Sequence, residues 1–161
     1  MKKVCFLIAF SAMSIGLHAQ NKTSFFVEAQ PVFAVQSGTD VGIHLNFGVT
    51  FPLSNTASLG VGSGAQSTFK FDNLRIPIFA RFVLDNKEYD NSPFFMLDIG
   101  CNQDIDGEFL KGGAFGVNVN PTFGFRIGKA YIGVGYLGSF VETRGSGDWH
   151  SAINIKLGVS L

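Results

Sequence analysis

The stretch GAFGVNVNPTFGFRIG, residues 113–128, places Phe115, Val117, Val119, Pro121, Phe123, Phe125 and Ile127 at its odd positions. The even positions hold Ala114, Gly116, Asn118, Asn120, Thr122, Gly124 and Arg126. Successive side chains of an extended strand point to opposite faces, so this stretch reads as a strand with one bulky apolar face and one small or polar face. Residues 40–53 repeat the pattern, with Val41, Ile43, Leu45, Phe47, Val49 and Phe51 set against Gly42, His44, Asn46, Gly48 and Thr50. So do residues 152–161, with Ile153, Ile155, Leu157, Val159 and Leu161 on one side. Weaker copies occupy residues 25–35, 57–69, 74–84, 95–101 and 130–140. Eight strands are expected. The segments between them (QSGTD, LSNT, KFDN, DNKEYDNS, DIDGEFLKGG, GK and ETRGSGD) are rich in turn-forming residues.

Alternation alone does not say what the apolar face meets. Composition does. The chain has 161 residues, enough for one core. Twelve basic residues balance twelve acidic ones, so nothing points to nucleic acid. Charged residues are 15% of the chain, against roughly 25% in soluble domains. Hydrophobic residues are 46%, with 20 Gly and 18 Phe. This composition excludes a disordered linker, a coiled coil and a typical cytosolic enzyme. The strand interiors carry few charges: Glu28, Arg75, Arg81, Asp98, Arg126 and Lys156. Gly, Asn, Ser, Ala and Thr dominate the polar face, which suits the inside of a narrow closed barrel rather than a solvated surface. Strands that cross a bilayer need roughly 9–11 residues, and an open sheet edge in lipid would leave backbone groups unpaired. The expected fold is all-β: an eight-stranded antiparallel up-and-down transmembrane β-barrel. A soluble periplasmic lipocalin-like carrier is the rival, and it would reverse the two faces.

Residues 1–19, MKKVCFLIAFSAMSIGLHA, have the parts of a signal peptide: Lys2 and Lys3, an apolar stretch, and a small-residue end at Ala19. The stretch is too short to span a membrane as a helix. Cleavage after Ala19 would leave an outer-membrane barrel domain at residues 20–161. Its ten basic and twelve acidic residues give a net charge of −2, and Cys101 is its one cysteine.

The segment LRIPIFARF at 74–82, the segment NPTFGFRIG at 120–128, the terminal INIKLGVSL and the leader ending HAQ resemble small outer-membrane barrels. The likeness is to the PorT-like barrels of Bacteroidota and, more distantly, to OmpA- and OmpX-type eight-stranded barrels. It runs over the whole mature chain. Such barrels often end in an aromatic residue, whereas this sequence ends in Leu161. The resemblance implies an outer-membrane location in a Gram-negative bacterium and a structural or interaction role without catalysis.

The chemical motifs are sparse. Asn102, Asp104 and Asp106, followed by Gly107, match the opening of a calcium loop, but Gly113 stands where the closing carboxylate belongs. A turn is the simpler reading. The run 133–138 fits G-x-G-x-x-G without a following helix, so its glycines are expected at lumen-facing positions with a bend near Gly138. His44 and His150 fall near strand ends on the polar face, and Ser151, next to His150, must point the other way. No nucleophile–base spacing follows from that arrangement. Trp149, Tyr89 and Tyr136 are expected near strand ends, at a membrane interface. The Phe-rich face is expected to contact lipid, and Cys101 belongs to that outward set. Within the lumen, Glu28 is expected to pair with Lys156 across the closing seam, and Arg81 with Asp98.

These features predict a non-enzymatic barrel with a side-chain-filled lumen, no cofactor, and an envelope-structural or adhesive role through its external loops. A narrow pore and a lipid-modifying barrel enzyme are the alternatives. Outer-membrane lipids and, during biogenesis, the barrel-assembly machinery are the expected partners of a monomer.

Overall fold

The computed structural model describes residues 23–35, 41–68, 74–104, 115–143 and 146–161. They form eight strands: β1 Ser24–Ala34, β2 Val41–Pro52, β3 Ala57–Thr68, β4 Leu74–Asp85, β5 Asn91–Asp104, β6 Phe115–Ile127, β7 Ala130–Thr143 and β8 Ser146–Ser160. Each pairs antiparallel with its neighbour in sequence, and β1 pairs with β8, so the sheet closes into an up-and-down barrel. The closing seam sets Phe26 opposite Ser160 and Glu28 opposite Gly158. Reciprocal backbone bonds join Phe25 and Leu161 at its end. Closure leaves no unpaired edge.

Period-two alternation decides the two faces. Phe25, Val27, Leu45, Phe47, Ile78, Ile99, Phe123 and Val134 point outward and are exposed. Glu28, Gln30, Asn46, Arg81, Asn120, Thr122, Asn154 and Lys156 point inward and are buried. This is the reverse of a soluble carrier, whose apolar side chains would line the cavity.

Three strands run further than the alternation suggests. β5 covers residues 91–104 rather than 95–101, β7 reaches Thr143, and β8 starts at Ser146. Their ends carry polar residues on both faces, so hydrophobic alternation fades there while ladder pairing continues, as between Asn91 and Ile127 or Glu142 and Gly147. Gly138 is not a bend. β7 runs through it, and the Trp149 ring packs over it where a Cβ would stand.

The described turns lie at the end that also holds Ser24 and Leu161. At 53–56, Ser54 Oγ accepts the backbone N–H groups of Thr56 and Ala57. At 86–90, Asn86 Oδ1 accepts the N–H of Glu88. Gly128–Lys129 is a two-residue hairpin connection with Gly128 at φ +58°, the left-handed conformation such tight turns require. The connections at 36–40, 69–73, 105–114 and 144–145 join strands at the opposite end.

Candidate functional site

The lumen is organised around one cluster of four charged side chains. Arg81 of β4 and Asp98 of β5 are direct cross-strand partners. The guanidinium donates from Nε to Asp98 Oδ1 at 2.7 Å and from Nη2 to Asp98 Oδ2 at 2.8 Å. Nη2 also reaches Glu28 Oε1 of β1 at 2.7 Å. Lys156 of β8 donates to Asp98 Oδ2 at 2.7 Å and stands 3.9 Å from Glu28 Oε1. Arg81 is 1% exposed and Lys156 0%, so these charges depend on one another for neutralisation. Two cations meet two carboxylates, and the cluster carries no net charge.

The structure thus brings Glu28, Lys156, Arg81 and Asp98 together, with one difference in partnership. Lys156 keeps the expected ion pair with Glu28 at 3.9 Å but places its hydrogen bond on Asp98, across the lumen, at 2.7 Å. The reason is register: Glu28 faces Gly158 across the seam, two residues beyond Lys156. Glu28 is instead saturated by Arg81, by Gln30 Nε2 at 2.5 Å, by Asn46 Nδ2 at 3.1 Å and by the Tyr131 hydroxyl at 2.8 Å. Sequence reading left out Tyr131, Gln30 and Asn46. Parity held the signal for Gln30, which shares an inward face with Glu28.

Several of these bonds join strands that are not neighbours. Arg81 links β4 to β1, Tyr131 links β7 to β1, and Lys156 links β8 to β5. Asn120 Nδ2 of β6 donates to Gln30 Oε1 of β1 at 3.3 Å. The lumen at this level is bridged from wall to wall.

Not every Phe faces outward. Phe26, Phe79 and Phe94 turn into the lumen, because each shares a face with a cluster residue two or four positions away. The Arg81 guanidinium lies over Phe26, 3.9 Å from its ring centroid, and 5.2 Å from that of Phe79. Glycines seat the rings. A Cβ on Gly48 or Gly62 would collide with Phe26, one on Gly124 with Phe94, and one on Gly158 with Tyr131.

The remaining candidates do not assemble. Asn102 is a buried wall residue of β5, and its Oδ1 accepts from Asn118 Nδ2 at 3.0 Å. Asp106 lies outside the described residues, as does the side chain of Asp104. Among the described residues, no group of three His, Cys, Asp or Glu could hold a metal ion. His44 is buried in the lumen and His150 is exposed. Ser151 accepts from Trp149 Nε1 at 3.1 Å and shares a 2.7 Å hydrogen bond with the Tyr136 hydroxyl. Tyr136 stands mid-strand rather than at a strand end, opposite Ile153. Tyr89 is exposed in the 86–90 turn.

No family model and no curated protein matches the sequence. Solved structures do match. The outer membrane enzyme PagL superposes with a TM-score of 0.60 at 13% identity, over 83% of this chain and 98% of that one. Neisserial surface protein A gives 0.57 at 13% identity, over 85% and 96%. The N-terminal β-barrel domain of Pseudomonas aeruginosa OprF gives 0.50 at 10% identity, over 84% and 97%. The chain has the fold of outer-membrane barrels. At these identities the likeness is one of fold. It also corrects one expectation from the sequence, that the chain is not an enzyme. PagL is an outer-membrane enzyme with the same architecture, so this fold hosts catalysis and gives no ground for denying it.

Proposed function

We propose that this chain is an outer-membrane barrel protein of a Gram-negative envelope, acting in envelope structure or adhesion through the connections at the end away from its termini. The observation that carries the reading is the inverted polarity. Phe123 is 68% exposed on the outside while Lys156 is wholly buried within. In water the outer face would be a continuous apolar surface far beyond what soluble monomers tolerate, and in lipid it is the solvated face.

On this reading residues 1–19 direct export and are removed after Ala19, and residues 20–161 assemble with the barrel-assembly machinery. The even strand number returns both termini to the periplasm and puts the 36–40, 69–73, 105–114 and 144–145 connections outside. The barrel works as a monomer among outer-membrane lipids. The wall-to-wall bonds of the charge cluster favour a filled lumen over a pore. Kinship with PorT-like barrels is part of the proposal and rests on the segments at 74–82 and 120–128.

Fractionation of a Gram-negative host expressing the full chain tests it. The protein should partition with the outer membrane, resist extraction by alkaline carbonate, and migrate faster on gels when unheated than when boiled. Recovery in the soluble periplasm would overturn the reading.

A further inference from the structure

Below the charge cluster, at the end that holds the termini, the lumen opens into a chamber of about 610 Å³. That lies within the range of small-molecule sites. Its walls differ from the rest of the interior. Phe26, Val83, Phe94, Met96 and Tyr131 face it beside Thr50 and Ser58, and this apolar group is separate from the Val32, Leu137 and Ala152 cluster elsewhere in the interior. Phe94 and Tyr131 meet edge to face, with centroids 5.8 Å apart, and form one rigid side. The charge cluster closes its inner end, through Arg81.

The mouth carries the side chains of Lys87, Arg126 and Lys129 with that of Asp85, and Leu161, the last residue, also lines it. Asp85 is already taken by Arg126 at 2.7 Å, and Arg126 spends its other donors on the carbonyls of Asn86, Tyr89, Asp90 and Gly128. Lys87 is different. Its Nζ donates to Ser58 Oγ at 2.5 Å and approaches the carbonyls of Ser54 and Ala57 at 3.3 and 3.4 Å. None of these partners carries charge. The neighbouring Glu88 accepts from Asn55 Nδ2 of the rim at 3.3 Å and does not bond Lys87. Partial burial lowers the Lys87 pKa, the charge of Asp85 raises it again and that of Arg126 lowers it.

We propose that this chamber binds a small molecule with one anionic group, carboxylate or phosphate, on a compact apolar body. The body lies against Phe94, Met96 and Tyr131, and the anion meets Lys87 and Lys129. Apolar walls at an open mouth are poorly hydrated, and an apolar body releases the water they hold. An ammonium at the rim whose hydrogen-bond partners are all neutral supplies the matching charge. The chemistry of the site stands on the barrel alone, and only its exposure to the periplasm rests on the outer-membrane reading.

The test is calorimetric titration of the full chain in lipid nanodiscs with 4-phenylbutyrate, against empty nanodiscs and against neutral 4-phenylbutanol. Saturable one-to-one binding of the acid is expected, at least tenfold tighter than the alcohol. Lys87→Gln should weaken it fivefold or more, and Val83→Trp, which fills the chamber, should abolish it. Heat-modifiable migration of both variants confirms that they fold. Nanodiscs doped with dodecyl phosphate separate the sources, because lost heat there places the occupant in the bilayer and retained heat places it in the aqueous phase, each upholding the site. No saturable heat, equal affinity for acid and alcohol, or unchanged binding in both folded variants would overturn the proposal. None of these outcomes bears on fractionation, so the site and the membrane location fail separately.

Discussion

Arg81 and Asp98 stand directly opposite each other on β4 and β5, joined by two parallel hydrogen bonds of 2.7 and 2.8 Å. The fork of the guanidinium fits the carboxylate in the bidentate geometry of strong charge-assisted pairs. The same carboxylate holds Lys156, so Asp98 neutralises two buried cations.

Removing Asp98 therefore leaves two buried cations to share Glu28, which bonds Arg81 at 2.7 Å and stands 3.9 Å from Lys156. Asp98→Ala should destabilise the barrel by about 3–5 kcal/mol, the cost of breaking a buried pair from one side. Urea unfolding in detergent or vesicles reads the difference. A loss no larger than that of an exposed ion pair, about 0–1 kcal/mol, would mean that water reaches the cluster freely.

Double-mutant cycles should rank the pairs by distance. Coupling between Arg81 and Asp98 should exceed that between Glu28 and Lys156, which are 3.9 Å apart and share no hydrogen bond. Equal couplings would show that the cluster acts as a pool of charge rather than through specific contacts.

The outward face can be probed with a charge. Phe123→Arg places a guanidinium at an exposed apolar position of β6. It should cost about 2–4 kcal/mol if the site lies near the bilayer midplane. Asn118→Ser, on the lumen side of the same strand, should cost much less. If the Phe123→Arg variant assembles into membranes and resists urea like the parent, position 123 does not face lipid.

Two glycines should respond to substitution for different reasons. Gly48→Ala pushes a methyl group against the Val61 carbonyl and the Phe26 ring, and neither can retreat within the paired sheet. A loss of about 1–3 kcal/mol is expected, as for other overpacked sites. Gly128 has open space around it but a positive φ, so Gly128→Asn should be tolerated better than Gly128→Val. Thermal unfolding of the three variants would reveal any reversal of that order.

Topology is open to protease. On intact cells, cleavage should fall in the 36–40, 69–73, 105–114 or 144–145 connections, and the turn at Asn55 should be spared. Cutting at Asn55 alone would turn the barrel upside down in the membrane.

Much of this architecture was legible in the sequence because a strand has a side-chain period of two. Alternation such as that of residues 113–128 fixed the number of strands, their order in an up-and-down sheet, and which residues face in. The scarcity of charge on the polar face pointed to an enclosed lumen. Parity also placed Arg81 and Asp98 inward and, because their strands are consecutive, close together.

What lies across the barrel was not legible. That Lys156 stands closer to Asp98 than to Glu28 depends on the stagger between strands and on the tilt that closure imposes, and a period of two carries neither quantity. The same holds for Tyr131 reaching Glu28 from β7, and for the Phe26, Phe94 and Tyr131 rings that line a chamber beneath the charge cluster. Those contacts join residues whose strands touch only through the closed cylinder. The chain alone dictates which side chains enter the lumen, and only the closed barrel decides which of them meet.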